Sequence, residues 1–122
     1  MRLLVCGSRM WSDYGKVEEV LERVTAGVDE VVLVHGAARG ADRMAAEVGR
    51  RRGWIIESHK AEWDRAGRGS GMARNRRMLL TGKPDVVVAF IDERRRPSPG
   101  TNDMIRRAKE AGLHGLIIRA GG

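Results

Sequence analysis

Three short stretches of this sequence set glycine beside hydroxyl and guanidinium side chains, the groups that hold phosphate. The first is Gly7-Ser8-Arg9, with Trp11 close behind. Glycine lets a ligand approach the backbone, a serine hydroxyl bonds a phosphate oxygen, and a guanidinium grips one through two parallel N–H donors. The second stretch, His35-Gly36-Ala37-Ala38-Arg39-Gly40-Ala41-Asp42, frames a turn between two glycines. Asp42 there suits a ribose hydroxyl, and equally suits the first turn of a helix, where the dipole favours a carboxylate. His35 reads as a packed, hydrogen-bonded histidine or as a site group. The third stretch is Pro97-Ser98-Pro99-Gly100-Thr101-Asn102-Asp103, where Gly100 and Thr101 open a helix and offer amides and a hydroxyl to an anion. Trp63 to Gly71, followed by Arg74 and Asn75, reads as a flap that closes an aromatic ring and Arg groups over a ligand.

Familiar engines are missing. The glycine spacing fits neither G-x-G-x-x-G nor G-x-x-x-x-G-K-[ST], and there is no G-x-S-x-G or H-E-x-x-H. His35, His59 and His114 lack metal-ligand spacing, and Cys6, the one cysteine, excludes an internal disulfide framework and a Cys-based zinc site. No metal is expected, and the sequence names no cofactor. Lys and Arg number 23 against 16 Asp and Glu, a net charge of +7, and all but Lys16, Lys60, Lys83 and Lys109 are Arg. That excess favours phosphorylated or polyanionic partners. Aromatic residues are only 4%, which argues against a binder that stacks single-stranded bases on exposed rings.

These loops need strand ends and helix starts to hold them, and the hydrophobic pattern supplies both. Apolar runs at Arg2–Cys6, Glu30–Val34, Trp54–Ser58, Asp85–Phe90 and Leu113–Arg119 read as strands. Helical spacing separates them. Asp13 caps a helix whose inner face is Val17, Val20, Leu21 and Val24. Ala41–Arg52, Ala73–Leu80 and Thr101–Ala111 follow, and Arg50-Arg51-Arg52 suits a helix C-terminal dipole. Such alternation predicts an α/β, Rossmann-like open sheet of five parallel strands, order 3-2-1-4-5, with helices on both faces. A ligand crevice then opens beyond the carboxyl ends of strands one and four. The absence of a linker predicts a single domain over residues 1–122. The longest apolar runs fall far short of the roughly 20 residues that span a bilayer. A cytoplasmic protein without a membrane partner is the expectation.

Gly7-Ser8-Arg9 with Trp11, His35-Gly36-x-x-Arg39-Gly40-Ala41-Asp42, Trp63, Arg74-Asn75 with Met78, and Gly100-Thr101-x-Asp103-Met104 together resemble the YspA-like branch of the SLOG superfamily. The resemblance runs from Met1 to about Arg119. It implies a Rossmann-like fold related to the LOG phosphoribohydrolases and the DprA/Smf proteins, and a nucleotide or nucleotide-derived ligand. In the LOG motif P-G-G-x-G-T-x-x-E the glycines bind phosphate and the Glu serves catalysis. Here Pro97-Ser98-Pro99-Gly100-Thr101 lacks the glycine pair, and Met104 stands at the Glu position. The expected function is a sensor or binding module. Its site would use Gly7, Ser8, Arg9, Trp11, His35, Gly36, Arg39, Gly40, Asp42, Trp63, Arg74, Asn75, Gly100 and Thr101. Two alternatives stay open: a LOG-like N-glycosidase using Asp42, Asp103 or Glu62, and nucleic-acid binding through the Arg-rich surface. Homo-oligomerisation is open as well.

Overall fold

A computed structural model of the chain describes residues 1–61 and 70–121. In chain order its elements are β1 Arg2–Gly7, α1 Tyr14–Val24, β2 Val32–His35, α2 Ala41–Arg52, β3 Ile55–Ser58, α3 Ser70–Gly82, β4 Val86–Ile91, α4 Pro99–Glu110 and β5 His114–Arg119. The strands make one sheet in the order β3-β2-β1-β4-β5. Every neighbouring pair is parallel, with Leu4 beside both Val34 and Val87, and Val88 beside Leu116.

Period-two alternation explains the two layers of helices. Leu3 and Val5 point to one face with Leu33, Val88 and Phe90, where Val17, Val20 and Leu21 of α1 and Ala41, Ala45 and Val48 of α2 complete an apolar cluster. Leu4 and Cys6 point to the other face with Val34, Val87 and Ala89, against Met78 of α3 and Met104 and Ala108 of α4. Strands covered on both faces must be apolar at nearly every position, as β1 and β4 are. Asp13 caps α1 through Lys16 N at 3.0 Å, and Gly53 ends α2 in the left-handed region at φ 74°.

Some boundaries differ from the periodicity. α3 begins at Ser70 rather than Ala73 and α4 at Pro99 rather than Thr101. The first helical turn has no intrahelical N–H bonds to lose, so it tolerates Gly71 and favours Pro99. β2 begins at Val32, since the Glu30 carbonyl accepts the Met1 ammonium at 2.8 Å, and it runs on to His35, which pairs with Ser58. Among the described residues no helix is long and apolar enough to cross a membrane.

Candidate functional site

The carboxyl ends of β1 and β4 part into a crevice of about 740 Å³. This is where the connections from β1 and β4 leave for opposite sides of the sheet, the place open α/β sheets bind ligands. Gly7, Ser8 and Arg9 line it after β1, Gly36 to Arg39 with Asp42 after β2, and Pro97 to Thr101 at the start of α4. Arg74 and Asn75 of α3 close one side, and Cys6 lies on the floor. Burial pushes the Cys6 thiol far above its ordinary range.

The turn from β2 into α2 is tied from within. Asp42 Oδ2 accepts the Gly36 N–H at 2.9 Å and the Ala38 N–H at 3.3 Å. Burial raises this carboxyl from 3.8 to about 6, against the lowering effect of those bonds and of Arg74 and Arg9. Asp42 stands in the first turn of α2, where its carboxylate closes the loop before it. His35 Nδ1 accepts the Ala37 N–H at 2.9 Å, and its carbonyl takes the His59 N–H at 2.8 Å. Burial first, then His59 and Arg74, hold its imidazole below the usual 6.5. It packs and supports the turn, outside the crevice lining. Gly40 also lies behind the lining; at φ 76° a Cβ there would sit 2.4 Å from the Ser8 carbonyl oxygen, so only glycine lets the two loops meet. Ala37 adopts φ 58°, a conformation that costs a non-glycine residue about 1–2 kcal/mol.

A second network joins α3 to α4. The Arg74 guanidinium lies against Gly36, where a Cβ would come within 2.3 Å of it, and donates to the Gly36 carbonyl at 2.6 Å. Its Nε donates to Asn75 Oδ1 at 3.0 Å. Asn75 Nδ2 donates in turn to the Gly100 carbonyl at 2.9 Å and to Asp103 Oδ2 at 3.0 Å. Asp103 also receives Arg106 at 2.6 Å and Arg107 at 2.8 Å. Burial works to raise the Asp103 carboxyl, but Asn75 and Arg107 outweigh it and hold it low. Its carboxylate is fully engaged away from the crevice. Met104, one residue on, is wholly buried against the sheet.

The start of α4 differs, since its first amides are left open among the described residues. No side chain caps the helix, and the N–H groups of Gly100 and Thr101 have no acceptor among the described residues. Ser98, the N-cap residue, turns its hydroxyl to Ser8 Oγ at 2.5 Å instead, and Ser8 Oγ also accepts the Asp92 N–H at 2.8 Å. The Ser8 hydroxyl, expected on a phosphate, thus holds two loops together. Thr101 is 7% exposed and lines the crevice, yet its hydroxyl makes no hydrogen bond among the described residues. A Cβ on Gly100 would meet nothing within 4 Å.

Trp11 stands apart from the other candidates. It is 4% exposed, lies 5.3 Å from the Phe90 ring, and donates its indole N–H to the Asp13 carbonyl at 2.9 Å, so it belongs to the core. Trp63, Glu62 and most of the expected flap fall outside the described residues. The crevice also takes in Arg43, Lys60 and Arg96, which sequence reasoning passed over. Arg43 lies in the first turn of α2, and Arg39 in the turn just before its Gly40 cap. Arg96 closes the run Arg94-Arg95-Arg96 just before α4. Arg50 and Arg51 pair with Glu47, and Arg52 with Glu22, rather than serving only the helix dipole.

Known proteins share both the sequence pattern and the architecture. A model of the YspA, cpYpsA-related SLOG family matches residues 1–65. The gene 61 protein of Mycobacterium phage D29 is 36% identical, over 92% of this chain and 91% of that protein. DNA processing protein A of Streptococcus pneumoniae superposes with a TM-score of 0.71 at 21% identity, a likeness of fold. The match covers 95% of this chain and 49% of the pneumococcal one, so this chain spans about half of that protein's length.

Proposed function

From the premise that this chain belongs to the YspA, cpYpsA-related SLOG family, we propose that its crevice binds a nucleotide or nucleotide-derived small molecule. One observation carries the reading: the open start of α4. A crevice-lining hydroxyl and two amides that make no hydrogen bond among the described residues converge with the positive end of a helix dipole at Thr101 and Gly100. Open to the crevice, these donors can be satisfied together by one phosphate, whose charge the helix dipole favours. Arg74 adds a charge that bonds only neutral acceptors among the described residues, Gly36 O and Asn75 Oδ1.

The same geometry favours binding over LOG-like hydrolysis. A general acid must reach the leaving group. Met104 is in the core, Asp103 is engaged by three donors, and Asp42 is the crevice's one carboxylate among the described residues. Incubation with nucleoside monophosphates should release no free base at the roughly 1 s⁻¹ of slow ordinary enzymes.

Titration calorimetry against a panel of nucleotides tests the binding itself. Gly100→Ala places a methyl in empty space, and Thr101→Val removes the unpartnered hydroxyl, so both variants should fold. Each should weaken the best nucleotide about tenfold, Thr101→Val by the loss of one charge-assisted hydrogen bond and Gly100→Ala by a methyl that holds the phosphate off an amide it keeps. If no nucleotide binds at millimolar concentration, or if both variants bind like the parent, the proposal fails.

A further inference from the structure

Among the described residues, positive charge predominates along the crevice. Several Arg side chains elsewhere meet carboxylates: Arg2 with Glu57, Arg94 with Asp92, Arg106 and Arg107 with Asp103. Among the described residues the crevice lining carries Arg39, Arg43, Lys60, Arg74 and Arg96, with Asp42 as its carboxylate. The side chains of Arg39, Arg43, Lys60 and Arg96 make no ion pair or hydrogen bond among the described residues. Asp42 is turned inward to the Gly36 and Ala38 amides, and the crevice cations that act on it are Arg74 and Arg9.

A monophosphate brings a charge of about −1.5 to −2. Gly100, Thr101 and Arg74 suffice for that. Like charges gathered in one concavity repel when it is empty, and a ligand of higher negative charge removes that repulsion. Arg39, Arg43 and Arg96 are exposed, so they stand at the mouth rather than the floor. The volume of about 740 Å³ lies well within the roughly 300–1,000 Å³ of small-molecule sites and leaves room for more than a mononucleotide. We infer that the ligand is a nucleotide with more than one phosphate, either a nucleoside polyphosphate or two nucleosides joined by a pyrophosphate. One phosphate sits at Gly100 and Thr101, and the others extend toward Arg39, Arg43 and Arg96. This rests on the nucleotide reading above.

The test is calorimetry with AMP, ADP, ATP, inorganic tripolyphosphate and a single-stranded oligonucleotide of about 20 nucleotides, at an ionic strength near 0.15 M. ADP should bind about tenfold tighter than AMP, with a further gain for ATP. The double variant Arg39→Gln, Arg96→Gln, with an unchanged melting temperature, should bring the ATP-to-AMP affinity ratio toward one. If AMP binds and ADP and ATP bind no tighter, the inference falls and the nucleotide reading stands. If nothing binds, both fall. Tripolyphosphate matching ATP would support recognition of several phosphates and overturn recognition of the nucleoside. An oligonucleotide that binds tighter than ATP, increasingly with length, would overturn the inference in favour of a strand.

Discussion

Arg39 stands exposed in a turn whose shape is set by other residues, so its loss should be felt only by a ligand. Arg39→Ala is expected to weaken the bound nucleotide about ten- to hundredfold, the worth of a charged hydrogen bond, with a melting temperature within a degree or so of the parent. Paired calorimetry and thermal melts check this; unfolding with binding spared would make Arg39 a strut. Asp42 gives a different signature. Its folded-state value of about 6 lies above the ordinary 3.8, so the folded chain holds that proton more tightly than the unfolded one. Its contribution is therefore most favourable at low pH, declines as pH rises from 3.8 to about 6, and is least favourable above that. The gap corresponds to about 3 kcal/mol at most. Asp42→Asn keeps an oxygen for both amides and removes the buried charge. The variant should gain stability over the parent at pH 7.5 and lose that advantage as pH falls toward 4, read from urea unfolding. His35 runs the opposite way, its contribution worsening as pH falls through 6.5, and cancels between parent and variant. A stability difference independent of pH would refute the role given to Asp42. That Arg39, Gly100 and Thr101 lie along the crevice was legible in the sequence, because glycine-framed turns at strand ends leave few other places for them. Trp11 was not: an aromatic residue just past a loop has the same one-dimensional pattern whether it faces a ligand or Phe90.

Between elements, Asn75 is the joint. Its amide spans from Arg74 on α3 to the Gly100 carbonyl and Asp103 on α4, and it is 2% exposed. Asn75→Ala would leave a buried acceptor and a buried carboxylate short of a donor, at about 1–3 kcal/mol of stability. It should also weaken nucleotide binding, because the start of α4 is no longer held; denaturant unfolding and calorimetry on the same sample check both. A stable variant that binds like the parent would show the joint to be dispensable. The sequence showed these helices but not their joint. Hydrophobic periodicity reports which face of α3 turns inward, while a polar contact with α4 has no period. The edges were equally hidden. β3 and β5 read as apolar runs like β1 and β4, yet Ile55 is 68% exposed and Ile117 45%, because strand order rather than composition decides which runs end up at a margin. The inner order was readable, since only strands buried on both faces need be as uniformly apolar as β1 and β4.

For the whole molecule, the net charge of +7 and the cations of the crevice act together on an approaching anion. Long-range attraction speeds encounter and is screened beyond a Debye length of about 8 Å at 0.15 M salt. Association of a nucleotide should slow several-fold between about 0.05 and 0.5 M salt, while dissociation changes less. Stopped-flow mixing separates the two rates, and an association rate indifferent to salt would contradict electrostatic steering. The melting temperature should shift little over the same range, since exposed pairs such as Arg23 with Glu19 each contribute under about 1 kcal/mol.

Cys6 is the chain's one sulfhydryl, 6% exposed beneath the crevice. A thiol that is both covered and held protonated does not react with an alkylating reagent; it must first be uncovered and then ionise. The rate at which a maleimide consumes it is consequently a clock for the opening of the sheet's carboxyl edge, built in and needing no engineered probe. Because each molecule carries a single such sulfur, intact mass after timed labelling would give the fraction opened directly. Anything lodged over the floor should slow that clock, so labelling rate with and without a candidate compound becomes an occupancy assay that does not require knowing the compound's chemistry in advance.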